Sequence, residues 1–274
     1  MGVKEEKVSE EPAIDVFNLT HYYDGVPAVD RISFQVPSGS IFGLLGPNGA
    51  GKSTTIKMLT TLLPPTSGTA TVSGFDIVQM PSSVRQNIGY VPQLLSADGD
   101  LSGYENLLLS GKLYGLSSQH REKRIYEVLD FMGLKSSADQ LVNQYSGGMI
   151  RRLEIAQALL HRPKVLFLDE PTVGLDPSAR QVLWHRIQVL RKQYGTTILI
   201  TTHDMEEADL LCDTVAFMHL GHIVTMDSPA TLKATLGAQA TLNDVFMRYT
   251  GTSIKEGGSY SNVKQTRHAI THRG

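Results

Sequence analysis

The stretch Gly46-Pro47-Asn48-Gly49-Ala50-Gly51-Lys52-Ser53 limits what this chain can fold into more than any other part of it. The run before it, Ile41-Phe42-Gly43-Leu44-Leu45, is apolar and predicts a buried strand, and the run from Thr54 to Leu62 predicts a helix. Glycines let such a loop curl until its backbone N–H groups converge on an anion, and the following helix start adds partial positive charge. Lys52 contributes a full charge and Ser53 a hydroxyl. This is the spacing of a phosphate-binding loop, with Lys52 reaching terminal phosphates and Ser53 a magnesium ion. Residues 46 to 53, with Thr54 opening the helix, are therefore the expected site for a nucleoside triphosphate.

A second apolar run, Val165-Leu166-Phe167-Leu168, ends in Asp169-Glu170. A carboxylate at a strand end beside a phosphate loop can hold a metal ion with its water shell, the role that Asp169 fits. Glu170, one residue on, is placed to polarise a water for attack on a γ-phosphate. Upstream, Tyr145-Ser146-Gly147-Gly148-Met149 leads into Ile150 to Leu160, where Met149, Leu153, Ala156 and Leu160 recur at helical spacing. Ser146 reads as an N-cap, with Gly147 and Gly148 exposing the first N–H groups as a second anion site. A Ser-Gly-Gly triplet alone marks an ordinary capped helix. Its weight comes from lying shortly before Asp169-Glu170 and far downstream of the phosphate loop.

The remaining pattern sorts into layers. Ile14 to Leu19 and Ile32 to Val36 have strand character and suggest an antiparallel layer before the loop; Thr69 to Val72 adds a short strand after the turn at Pro64-Pro65-Thr66-Ser67-Gly68. From about Leu94 to Pro163 the pattern is helical. From Val165 it alternates strand, helix (Pro177 to Tyr194), strand, helix, strand, the signature of a parallel sheet flanked by helices. Val215 to Met218 and Ile223 to Met226 predict a hairpin around Leu220-Gly221, and Leu242 to Tyr249 a last helix packed through Val245, Phe246 and Tyr249. The expected fold is α/β: a P-loop NTPase core on a parallel sheet, with an N-terminal antiparallel β layer and an inserted helical subdomain at about 94–163. One nucleotide-binding domain, 13–250, is expected between polar tails at 1–12 and 251–274.

Composition narrows the partners. A formal net charge of −2 supplies no basic field for nucleic acid. The one cysteine, Cys212, fits a small buried apolar position. No apolar run approaches the roughly 18 residues that span a bilayer, and Gly2 to Pro12 lacks the apolar stretch of a signal peptide. Membrane association is therefore expected only through another protein. His268 and His272 have no ligand-spaced partners, so no metal site is expected there.

With these motifs in place the chain resembles the ATP-binding subunits of ABC transporters, over about Ile14 to Thr250. The family's order is kept: phosphate loop, Gln93 in Val91-Pro92-Gln93, the signature at Tyr145 to Met149, Asp169-Glu170, Gly174-Leu175-Asp176, and His203 in Thr201-Thr202-His203-Asp204. The resemblance implies that Tyr23 stacks on adenine, with Tyr22 the neighbouring candidate. It implies that Gln93 contacts magnesium and links ATP to the membrane partner, and that Asp176 crosses to the other subunit's site. It gives His203 the γ-phosphate and the positioning of Glu170 with its water. By the same resemblance two chains meet head to tail, Ser146, Gly147 and Gly148 of one closing over ATP and Mg²⁺ held by Lys52, Ser53 and Asp169 of the other. The partners implied are a second nucleotide-binding subunit and an integral membrane permease, at the cytoplasmic face of the cell membrane. Tyr145 stands where the signature commonly has leucine and Met149 where it has glutamine, removing an amide. The Tyr-Ser-Gly-Gly-Met form with Arg151-Arg152-Leu153, and the closing Thr241 to Phe246, are similar to the daunorubicin-resistance-type exporter branch. A soluble ABC-type ATPase of translation or DNA repair is the competing expectation.

Overall fold

The computed structural model describes residues 11–251. The expected tails lie largely outside them, as do His268 and His272. The elements run β1 (Ile14–Tyr23), β2 (Val26–Val36), β3 (Ile41–Leu45), α1 (Lys52–Leu59), β4 (Ser67–Val72), β5 (Phe75–Asp76), α2 (Pro81–Asn87) and β6 (Ile88–Val91). They continue with α3 (Gly103–Leu113), α4 (Ser118–Phe131), α5 (Gly147–Leu159), β7 (Val165–Asp169), α6 (Pro177–Tyr194), β8 (Thr197–Thr202) and α7 (Met205–Leu211). Last come β9 (Thr214–His219), β10 (His222–Asp227), α8 (Pro229–Ala234) and α9 (Leu242–Thr250).

Two sheets form. One, in the order β2-β1-β4-β5, is antiparallel; the other, β10-β9-β3-β8-β7-β6, is parallel except for the β9–β10 hairpin at its edge. The unbroken apolar runs of the central strands are explained by burial on both faces. Phe42, Leu44, Val165, Phe167 and Leu199 point into a core shared with the antiparallel layer. Their alternating neighbours Ile41, Leu45, Leu166, Leu168, Ile198 and Ile200 point into a second core that includes α5, α6 and α9. Phe34 of β2 stacks on Phe42 of β3 at 5.0 Å, joining the two sheets directly. α/β architecture with an antiparallel N-terminal sheet and helices around a mostly parallel core is thus present as expected.

Three details differ from the sequence reading. The helix expected over 54–62 occupies Lys52–Leu59, because Gly51 serves as its N-cap and Thr61 turns to φ 63° after it. β1 extends past Leu19 to Tyr23, since the hairpin with β2 keeps pairing as far as Tyr23 and Val26. Tyr249 is 49% exposed, while Val245 and Phe246 are fully buried, so α9 packs through those two alone of the three expected. β5, α2, β6 and α8 had no clear periodicity in the sequence. β6 matters most, because Gln93 lies just past its end.

Candidate functional site

Three parallel strands deliver the site. β3, β7 and β8 lie side by side, and the phosphate loop, Asp169-Glu170 and His203 follow their carboxyl ends. Such ends are where ligands bind in open α/β sheets. Gly51 sits at φ 110°, and a Cβ there would fall 2.5 Å from the Ala28 carbonyl oxygen, so no side chain fits. As N-cap it offers no capping oxygen, leaving the first amides of α1 for an outside acceptor. Pro47 is half-buried, Asn48 and Gly49 are exposed, Gly46 and Ala50 are buried, and Ser53 and Thr54 are partly buried on the first turn.

Lys52 is almost enclosed, and its Nζ donates to the carbonyl oxygens of Gly46 (2.7 Å) and Pro47 (3.3 Å). It also pairs with Glu170 Oε1 at 3.0 Å, both side chains being at most 5% exposed. Glu170 Oε2 accepts from His203 Nδ1 at 2.7 Å. These contacts to His203 and Lys52 outweigh burial and hold the Glu170 carboxyl below its ordinary range. His203 moves the other way: its bond to Glu170 raises it above the ordinary imidazole value, against partial burial. Glu170 adopts φ 51°, the left-handed region that a non-glycine residue rarely visits, and its N–H is fixed to Thr201 O (3.0 Å) and Thr201 Oγ1 (3.1 Å).

Ser53 Oγ donates to Asp169 Oδ1 at 3.0 Å, and Thr201 Oγ1 donates to the same oxygen. Hydroxyl and carboxylate oxygens so close suit a small hard cation such as Mg²⁺, so Ser53 and Asp169 fit the metal that the motif implies. Thr201 is the member of this group without a role assigned from sequence. It lies in a β-branched strand, and nothing in the one-dimensional pattern marks its side chain as a partner of Asp169.

The other candidates take separate places. Tyr22 and Tyr23 are 42% and 46% exposed at the β1–β2 turn, and Tyr23 is braced edge-on by buried His21 at 4.6 Å. That hairpin approaches the phosphate loop through Ala28. Gln93 is exposed, and its backbone carbonyl is held by Arg151 at 2.7 Å. Ser146 caps α5 by accepting from Met149 N at 3.3 Å. Gly147 and Gly148 pack beside the start of α6, a Cβ on Gly148 falling 2.7 Å from the Ala179 Cβ. Asp176 is exposed and caps α6, accepting from Ala179 N at 3.0 Å. Tyr145 is 7% exposed and donates to Ser137 O, so the residue that departs from leucine packs at the start of the signature helix.

The structure thus gathers Lys52, Ser53, Asp169, Glu170 and His203 into one hydrogen-bonded group. It does not join Ser146 to Gly148 with them: among the described residues no hydrogen bond links that segment to residues 46–53. α5 packs on β6, three strands from β3, or roughly 14 Å across the sheet at a usual strand spacing. Among the described residues no helix is long and apolar enough to cross a membrane.

Comparison with known proteins gives a consistent grouping. Residues 29–173 match the family described as ABC transporter. The daunorubicin/doxorubicin resistance ATP-binding protein DrrA of Streptomyces peucetius is 45% identical over 226 residues, which are 82% of this chain and 68% of that protein. The Nod factor export ATP-binding protein I of Sinorhizobium fredii (strain NBRC 101917 / NGR234) is 46% identical over 220 residues, 80% of this chain and 64% of the relative. The chain therefore spans about two thirds of those relatives' lengths. Among solved structures, an ATP-binding subunit of an ABC transporter superposes with TM-score 0.77 at 29% identity, covering 87% of this chain and 99% of that one. A dimeric post-hydrolysis state of the ATP-binding cassette MJ0796, bound to ADP and Pi, gives 0.71 at 25% identity, covering 78% and 98%.

Proposed function

The chain belongs to the ABC transporter family, and on that premise we propose how its residues perform the work of an ATP-hydrolysing transporter subunit. The observation that carries the proposal is Glu170 held between Lys52 and His203, one residue from the Asp169 that Ser53 contacts. Glu170, kept ionised by those neighbours, polarises the attacking water as general base. His203 orients Glu170 and contacts the γ-phosphate. Lys52 leaves Glu170 Oε1 for the terminal phosphates, which frees the carboxylate for its water. Ser53 and Asp169, with Gln93 added by the family resemblance, would hold Mg²⁺, which would supply charge neutralisation at the phosphates. The amides of Asn48, Gly49, Gly51 and Thr54 line the phosphates, with Gly46 and Ala50 shaping the loop through their own bonds to Thr202 O and Pro47 O, and Tyr23, or Tyr22 beside it, stacks on the base.

The site is completed by a second copy. Ser146, Gly147 and Gly148 open α5, which packs on β6 three strands from β3, and among the described residues no hydrogen bond links them to the phosphate loop of their own chain, so a head-to-tail dimer brings them over the partner's nucleotide, with Asp176 crossing beside them. The dimeric form reported for the MJ0796 cassette supports this arrangement. Closure over two Mg-ATP drives a separate membrane permease, which docks near Gln93 and the segment 103–106 at the cytoplasmic face. The relatives named for drug resistance and Nod factor export favour export over the translation or DNA-repair reading.

The test is phosphate release by the purified chain with its co-purifying membrane partner. The expected result is Mg²⁺-dependent turnover, lost with EDTA and in Lys52→Ala together with nucleotide binding. Turnover that survives Lys52→Ala, or purification with ribosomes or DNA in place of a multi-span membrane protein, contradicts the reading.

A further inference from the structure

The one fully buried ion pair outside the site, among the described residues, joins two pieces of the machinery. Arg151 and Glu154, one turn apart on α5, pair at 3.0 Å with side chains 3% and 2% exposed. Besides pairing with each other, both reach out to the segment that follows β6. Arg151 Nη1 donates to Pro92 O and Nη2 to Gln93 O, each at 2.7 Å. Glu154 Oε1 accepts from the Ser96 backbone N–H and from Ser96 Oγ at 3.1 Å. Asn106 of α3, itself 2% exposed, continues the fastening by accepting from Asp98 N and donating to Asp98 O, both at 2.9 Å. Among the described residues no hydrogen bond ties residues 92–98 to the sheet; every hydrogen bond that holds them from outside the segment comes from α3 or α5. Between the anchored points, Leu94 and Leu95 stand 82% and 53% exposed.

We infer that Arg151 and Glu154 are positioning residues that clamp the Gln93 segment to the helix beginning at Ser146, so that segment and helix travel as one body relative to the strands that carry the phosphate loop. The planar guanidinium suits the task because its rigid fork holds the Pro92 and Gln93 carbonyls and the Glu154 carboxylate at once in a fixed geometry, where a lysine ammonium is a point charge on a flexible stem. Burial strengthens these bonds by excluding water, and each charge is compensated by the other. The inference rests on the transporter reading for what the motion accomplishes: a shift of Gln93 would then reposition Ser146, and the reverse. The clamp itself is a statement about this chain alone.

Distances between spin labels in the full chain test it, in a Cys212→Ala background. One pair, on Leu94→Cys and Leu113→Cys, spans the segment and α3; the other, on Leu94→Cys and Lys57→Cys, spans the segment and α1 beside the phosphate loop. The expected result is a narrow 94–113 distribution that stays put on adding Mg-ATP while the 94–57 distance shifts. In Arg151→Met/Glu154→Met, which leaves no lone buried charge, and in Arg151→Lys, the 94–113 distribution broadens. Turnover at saturating ATP falls about tenfold or more in the double variant, and KM for ATP holds steady because Lys52 and Ser53 are untouched. A 94–113 distance that shifts with nucleotide as far as the 94–57 distance overturns the clamp, as does an equally narrow distribution in both variants. A 94–57 distance unmoved by Mg-ATP counts against ATP-driven closure, and the comparison of widths still decides the clamp.

Discussion

Replacing Glu170 with glutamine keeps the shape of the side chain and removes its charge. In the structure one oxygen faces Lys52 Nζ at 3.0 Å and the other faces His203 Nδ1 at 2.7 Å. The amide offers a single oxygen, so one of those donors loses its acceptor. Lys52 retains the Gly46 and Pro47 carbonyls. The folding cost therefore falls below the about 3–5 kcal/mol of a buried pair broken outright, near the about 1.5–3 kcal/mol of one charged hydrogen bond. The variant should fold and bind nucleotide, more readily if anything, since Lys52 no longer has a carboxylate competing with phosphate. Chemistry is another matter. Loss of a general base costs about 10²–10⁴ in rate, equivalent to about 2.7–5.4 kcal/mol of barrier. Phosphate release at saturating Mg-ATP, measured beside equilibrium nucleotide binding, separates the two effects. Turnover equal to that of the unaltered chain would refute the assignment of Glu170. A loss of turnover matched by an equal loss of binding would move Glu170 from catalysis to the binding site.

Other outcomes follow from the same geometry. The His203–Glu170 contact contributes stability in full between the ordinary carboxylate value of 4.5 and the ordinary imidazole value of 6.5, because Glu170 is lowered and His203 raised. Urea midpoints of the chain and of His203→Gln should therefore converge as pH rises through the raised His203 value, and again as pH falls through the lowered Glu170 value; a gap that widens above pH 6.5 contradicts this. Gly51→Ala should abolish nucleotide binding while leaving the far-ultraviolet spectrum in place, because its Cβ meets the Ala28 carbonyl 2.5 Å away; unchanged affinity removes the close-approach argument. Trp184, the sole tryptophan, donates to buried Glu207 of α7 at 3.0 Å, so its fluorescence should change on Mg-ATP binding if His203, just before α7, shifts; a silent signal means α7 stays still. Phe246→Ala should lower stability by about 3–5 kcal/mol, as for other buried aromatics; a loss below about 1 kcal/mol would mean that α9 is not part of the core.

How much of this was legible in the sequence depends on what kind of signal each part leaves. The central strands were plain because double-sided burial makes Ile41 to Leu45 and Val165 to Leu168 wholly apolar. α6 was plain too, with Asp176 and Pro177 opening it and Gly195 closing it in the left-handed region. Short β6 was not, because four residues ending at Val91 carry too little periodicity to stand apart from α2. In the site, residues with a spacing rule such as Lys52 and Ser53 could be named beforehand. Thr201 and the Arg151–Glu154 pair could not. Their partners, Asp169 and the Pro92–Ser96 segment, lie 32 to 59 residues away, and only the packing of α5 on β6 and of β8 beside β7 brings them within reach.

The central claim, that nucleotide is enclosed between two chains, is tested most directly by solution mass. Sedimentation of Glu170→Gln should give a species of one 30.0 kDa chain without nucleotide and twice that mass with saturating Mg-ATP, with one ATP retained per chain. A single-chain mass under saturating Mg-ATP, unchanged when the native membrane partner is present, contradicts it.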